Sequence, residues 1–262
     1  MDYKLKGKVA IVGGSSKGLG KAAAVSLAKE GVNIVLCARN EKALEKTKED
    51  IESLGVEVLA LRVDMSKEED NQRIVKETID KFGRIDILVN NSGGPAPGSF
   101  RDFSIEDFDQ AYHSVLRYNI SMIKLCLPYM EQREWGRIVN IASVSVKEPM
   151  PNMVLSNIFR TAVVSFAKSI SKDIMSSGIT INTICPGYFR TERITQLMEK
   201  ESNDANVSQQ EYEEGVISAF PHKRFMSPDE LGGMVAYLCS AQARSITGTT
   251  IQIDGGVNSS LL

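Results

Sequence analysis

The chain has 262 residues, 42% hydrophobic and 24% charged, with a formal net charge of −2. That balance suits a soluble globular protein with a sizeable core and leaves no electrostatic footprint for nucleic acid or an anionic membrane. Four dispersed cysteines with no CxxC pair, and only two histidines, speak against a disulfide framework and a His/Cys metal site. Strand and helix patterns then alternate along the chain. KVAIVG is a short apolar strand, followed by a glycine-rich turn and the helix GKAAAVSLAKEG. NIVLCAR is a second strand, EKALEKTKEDIESLG a charged amphipathic helix, and VEVLALRVD a third strand. A helix over 67–83 precedes the strand IDILVNN, and 104–132 reads as one long helix closed by the strand GRIVNIAS. The helical run NMVLSNIFRTAVVSFAKSISKDI follows, then the strand GITINTICPG and a polar segment near 191–217. The helix PDELGGMVAYLCS and the strand TTIQID end the series.

Near-continuous apolar strands separated by helices predict an α/β fold, a doubly wound parallel sheet of about seven strands with helices on both faces. No linker, composition shift or internal repeat divides the chain, so residues 1–262 read as a single dinucleotide-binding domain of Rossmann type.

In such sheets ligands bind beyond the carboxyl ends of the strands. Gly14, Gly18 and Gly20 form G-x-x-x-G-x-G between the first strand and its helix. Glycines let the backbone turn sharply and approach a diphosphate, while the helix N-terminus offers unpaired amides. The second strand ends in Ala38-Arg39 where an NAD site would place a carboxylate for the ribose 2′-hydroxyl, and Ser16 and Lys17 lie in the glycine loop. Two cations without that carboxylate suit a 2′-phosphate, so NADP(H) is expected ahead of NAD(H).

The ordered set Gly14-Ser15-Ser16-Lys17-Gly18-Leu19-Gly20, Asp64, Asn90-Asn91-Ser92-Gly93, Ser143, Pro186-Gly187 with Thr191, and the late IQIDGG resembles the short-chain dehydrogenase/reductase family, near its 3-oxoacyl-acyl-carrier-protein reductases. The resemblance covers essentially the whole chain. It implies hydride transfer between nicotinamide and a carbonyl or alcohol carbon of a small-molecule or acyl-thioester substrate. It also implies a homotetramer or homodimer, with long helices ending near Gln132 and Ser177 as the dimer face, and a substrate lid near 191–217. Asp64 would contact the adenine, Asn90 and Gly93 the ribose side, and Pro186, Gly187 and Thr191 the nicotinamide end. Gly13 and Ser92 stand where the family often has Thr and Ala.

The family reacts through Asn, Ser, Tyr and Lys, the last two spaced Y-x-x-x-K. Ser143 matches the serine, but thirteen residues on stands Ser156, and four further Arg160. These two share one helix face, where a polar stripe touching solvent is the alternative reading. The Asn slot falls on Val115, with Asn119 one turn along. Arg160 keeps a permanent charge able to fork onto ribose hydroxyls, whereas a serine hydroxyl is a far weaker acid than a phenol and too short to reach its place. Replacement proton donors are Lys147, on the loop after the fifth strand, and Tyr188, beyond Pro186-Gly187, whose alternative is an aromatic lid residue. Arg190 and Arg193 are placed to meet an anionic substrate. A second function remains open: an NADP(H)-binding protein without turnover, acting as a sensor or assembly partner. The cysteine usage, the absence of a membrane-length apolar run and a start without a signal-peptide core predict a cytoplasmic setting.

Overall fold

The computed structural model describes residues 2–260. Seven parallel strands lie in the order β3-β2-β1-β4-β5-β6-β7. They are β1 (Val9–Gly13), β2 (Asn33–Ala38), β3 (Val58–Arg62), β4 (Ile87–Asn90), β5 (Gly136–Ile141), β6 (Ile179–Pro186) and β7 (Thr250–Ile253). The order reverses between β1 and β4, and the crevice beyond their carboxyl ends is where this topology takes ligands.

Strand alternation divides the core between the two sheet faces. Ala10 and Val12 of β1, with Ile34 and Leu36 of β2, pack with Leu27 of α1 (Gly18–Lys29), Leu44 of α2 (Glu41–Glu52) and Leu231 of α9 (Pro228–Cys239). Val9, Ile11 and Val35 face the other way, onto Ile74 of α3 (Glu68–Phe82), Met122 of α5 (Tyr118–Glu131) and Ala167 of α6 (Val154–Met175). Truncating one such fully buried Ile or Leu to Ala costs about 2–5 kcal/mol. Helix ends follow local chemistry: Asn40 caps α2, and Ser227 with Glu230 forms a reciprocal capping box at α9.

The predicted 104–132 helix is interrupted. Ser104 caps α4 (Ile105–Ala111), Tyr112–Arg117 widen into a π-helical turn, and α5 continues to Glu131. The polar segment near 191–217 is two helices, α7 (Glu192–Ala205) and α8 (Gln209–Ser218). Their polar composition hides a helical stripe: Ile194, Leu197 and Met198 pack with Tyr212, Val216, Phe220 and Phe225 in a cluster separate from the sheet core.

Candidate functional site

The glycine loop is fixed from three sides. Asn91 Nδ2, just past β4, donates to the Gly13 carbonyl at 3.1 Å, and a Cβ on Gly14 or Gly20 would lie 2.7 Å from that nitrogen. Gly14 and Gly18 also hold positive φ of 55° and 58°. The Ser15 amide donates to the Cys37 carbonyl, the Cys37 amide returns a bond to Ser15 Oγ at 2.9 Å, and Thr47 Oγ1 donates to the Ser16 carbonyl. No side chain caps the N-terminus of α1 and no acidic residue sits in its first turn, so its amides remain for an anion. Open space surrounds the Gly93 Cβ position. Leu19, by contrast, packs inward against the sheet core.

At the far end, exposed Arg39 follows β2 and makes no ion pair among the described residues. Asp64, after β3, is drawn up by burial, but hydrogen bonds from the Ser66 hydroxyl (2.8 Å) and amide (3.1 Å), with the charges of Arg39 and Lys67, hold it below the usual carboxylate range. A cation at β2, an ionised carboxylate at β3 and uncapped helix amides after β1 fit a dinucleotide carrying a 2′-phosphate. Lys17 is turned to the lid, its Nζ 2.6 Å from Glu192 Oε2.

Asn90 is buried and donates to Asn140 Oδ1 at 3.0 Å, in register across β4 and β5. Asn91 therefore makes the direct tie to the glycine loop, a role that adjacency alone cannot separate between the two asparagines.

At the reacting end, Ser143 leads a short 3-10 turn over Val144–Val146; its Oγ accepts from the Ser145 amide at 3.1 Å, leaving the hydroxyl proton free to donate. Lys147 ends the same turn, half-buried, without an ion pair among the described residues. Ser156, 3% exposed, and half-buried Arg160 are not a solvated helix edge. Arg160 Nη1 donates to the carbonyls of Ile141 (2.9 Å) and Ala142 (2.7 Å), the last two residues before Ser143. Burial first, and the charge of Arg193 second, draw its guanidinium down to about 10. Cys185, at the end of β6, is pushed to about 11 by burial, opposed by a backbone hydrogen bond from Ser143 and by the charges of Lys147 and Arg160. The buried Cys185 thiol stays protonated at neutral pH.

Val115, in the expected Asn slot, lies inside the π-helical turn. Asn119 does not replace it: its Nδ2 donates to the Val115 carbonyl at 2.7 Å, repairing the ladder where the helix widens. Tyr188 packs into the lid cluster. Its ring tilts onto Phe220 with centroids 4.9 Å apart, and burial, then Glu201, raise its phenol.

Pro186 ends β6 buried, and the Gly187 amide donates to the Ile253 carbonyl at 2.9 Å. Thr191 caps α7, with its Cγ2 3.6 Å from the Gly18 Cβ position. Two residues on, Arg193 reaches back to the Pro95 carbonyl at 3.0 Å. The first turn of α7 therefore bridges the glycine loop and the loop after β4.

Known proteins match the chain over nearly its whole length. The family model described as Enoyl-(Acyl carrier protein) reductase matches residues 14–258. The NADPH-dependent reductase BacG of Bacillus subtilis is 36% identical over 251 residues, covering 95% of this chain and 97% of that one. A 3-oxoacyl-[acyl-carrier-protein] reductase of Synechocystis is 30% identical, covering 97% and 98%. A crystal structure of L-sorbose reductase from Gluconobacter frateurii, complexed with NADPH and L-sorbose, superposes with a TM-score of 0.94 at 30% identity, covering 99% of this chain and all of that one.

Proposed function

Because the chain belongs to the short-chain dehydrogenase/reductase family, we propose that it is an NADP(H)-dependent oxidoreductase reducing the carbonyl of a small molecule, with a rebuilt proton-transfer group. The observation that carries this reading is the shared carboxyl edge of the sheet. The uncapped amides of α1, Arg39 at β2 and Ser143 at β5 all open onto it. Gly14, Ser16, Gly18, Gly20, Arg39, Asp64 and Gly93 would hold the nucleotide, and Pro186, Gly187 and Thr191 its nicotinamide end. The bound cofactor supplies the hydride. Ser143 donates a hydrogen bond to the substrate oxygen and polarises it. As the carbonyl carbon gains the hydride, its oxygen takes a proton from the Lys147 ammonium, which is restored from solvent. Ser156 is too short and weakly acidic for that transfer, and the Tyr188 ring packs into the lid cluster on Phe220, where burial raises its phenol.

The whole chain acts as one domain in this reading, with α7 and α8 as the lid over 191–217. The helices α5, ending at Glu131, and α6, ending at Met175, would form the homodimer or homotetramer face that the resemblance implies. Among the described residues no helix is long and apolar enough to cross a membrane, and four buried free cysteines suit a reducing cytoplasm.

Two features favour a second reading, cofactor binding without turnover. Arg160 is partly spent on β5 carbonyls, and no phenol stands in the tyrosine slot. Purified protein given NADPH and a panel of ketones, sugars and 3-oxoacyl thioesters decides between them: nicotinamide absorbance reports hydride transfer and a separate titration reports binding. Reduction of any panel carbonyl supports the oxidoreductase. Tight binding with no oxidation across the panel supports the sensor.

A further inference from the structure

Four cations gather where α7 crosses the groove: Lys17, Arg160, Arg190 and Arg193. Two are answered by carboxylates. Lys17 pairs with Glu192 at 2.6 Å, and Arg190 pairs with Glu213 at 2.7 Å while stacking on Phe225, 4.3 Å from its ring centre. Arg160 and Arg193 are different: neither forms an ion pair among the described residues. Each is oriented by backbone carbonyls alone, Arg160 by Ile141 and Ala142, Arg193 by Pro95, with its Nη1 packed over Gly94. A carbonyl aims a guanidinium without neutralising it.

The two charges also feel each other. After burial, Arg193 is the next influence lowering Arg160, and burial lowers Arg193 itself. Holding two like charges in a partly desolvated cleft is unfavourable unless an anion comes between them. With Nη1 of Arg160 engaged, about three N–H groups remain on its Nε and Nη2, the fork that matches a carboxylate. The cofactor's diphosphate already has a seat at the amides of α1, where Thr191 rather than Arg193 packs against Gly18.

We propose that Arg160 and Arg193 clamp a carboxylate on the substrate, making the favoured class small oxo acids rather than neutral ketones or thioesters. The proposal rests on the reductase reading and sharpens it. Arg193 rides on the first turn of α7, so substrate charge and lid position are coupled.

The test compares oxo acids with their methyl esters, using NADPH and the wild-type, Arg193→Ala and Arg193→Lys proteins. Initial rates, the NADPH dissociation constant and the Tm of the NADPH complex with each compound are measured. Wild type should prefer the acids by roughly 10–100-fold in kcat/KM, as expected for a charged hydrogen-bonded pair. Arg193→Ala should lose most of that preference, chiefly through KM, and Arg193→Lys should keep part of it; NADPH affinity should stay within about twofold in both, because the diphosphate is seated elsewhere. Esters reduced as well as acids would overturn the clamp while leaving the reductase intact. So would an Arg193→Ala protein with weakened NADPH binding and an unchanged acid-to-ester ratio, which would assign Arg193 to the diphosphate. If no compound is reduced, the reductase reading fails, and Tm still decides the clamp. Stabilisation of wild type but not Arg193→Ala by acids alone supports it; equal response to acids and esters refutes it.

Discussion

The phenol oxygen of Tyr118 occupies the space that a side chain on Gly13 would need. Tyr118 is 1% exposed, and its ionisation is suppressed by burial and the neighbouring Cys37, tempered by a backbone hydrogen bond from Asn91. Residue 13 is where the family often carries Thr, whose side chain ties neighbouring loops together. Here a hydroxyl from the start of α5 reaches the same junction of β1 and β4. Gly13→Ala should therefore destabilise by about 1–3 kcal/mol, since the new Cβ would also meet the Asn91 carbonyl oxygen at 2.6 Å. Tyr118→Phe should cost about 1 kcal/mol alone. In urea denaturation the double variant should be at least about 0.5 kcal/mol more stable than the sum predicts. Strict additivity would mean that the two positions are not coupled.

The Lys17–Glu192 pair joins the glycine loop to the lid, and a 2′-phosphate would compete with Glu192 for the ammonium. Glu192→Gln should tighten NADPH binding several-fold at low salt, with the gain shrinking near about 0.5 M salt as screening weakens exposed pairs. NADH binding should change little. Fluorescence titration of both nucleotides at two ionic strengths checks this; equal gains for NADPH and NADH would place Lys17 away from the 2′-phosphate.

If Lys147 supplies the proton, Lys147→Ala should lower kcat by about 10²–10⁴-fold while leaving NADPH binding within about twofold. Tyr188→Phe should retain activity within about threefold, because its phenol is not asked to transfer a proton. Steady-state rates across pH, with a parallel cofactor titration, separate the two residues. Full activity in Lys147→Ala would exclude it.

Glu230 is held at about 2, first by the Arg224 side chain and then by the Ser227 amide, against an ordinary value of 4.5. A depressed folded-state pKa stabilises the fold above 4.5, and that contribution disappears as pH falls from 4.5 toward 2. The pair is substantially exposed, so screening limits the effect: Glu230→Gln should cost about 0.5–1 kcal/mol at pH 7. The difference from wild type should fade in acid denaturation series run down to about pH 2. A difference that persists there would show that ionisation of Glu230 is not its source.

The parallel sheet was legible because each strand is a short apolar run between amphipathic helices, and the glycine loop because its glycines sit between a strand and a helix. The vacancy of the Tyr and Lys slots was legible by counting from Ser143. What could not be read was three-dimensional closure. Tyr118 meets Gly13 from more than a hundred residues away, and no local pattern marks that contact. Asn119 looked like a displaced site residue because a one-turn offset keeps the same face; the π-helical turn, invisible in apolar spacing, turns its amide onto Val115. The lid read as merely polar because Ile194, Leu197 and Met198 form too sparse a stripe to outweigh the Glu, Gln and Asn around them.

Hydride transfer at this site can be read from an isotope carried by the cofactor. The protein is incubated with NADPH deuterated at the transferring nicotinamide position and a mixture of oxo acids and ketones, and products are examined by mass spectrometry. One deuterium should appear on the new carbinol carbon of at least one product, with matching loss of NADPH absorbance. Saturable NADPH binding with no deuterium in any product would contradict hydride transfer.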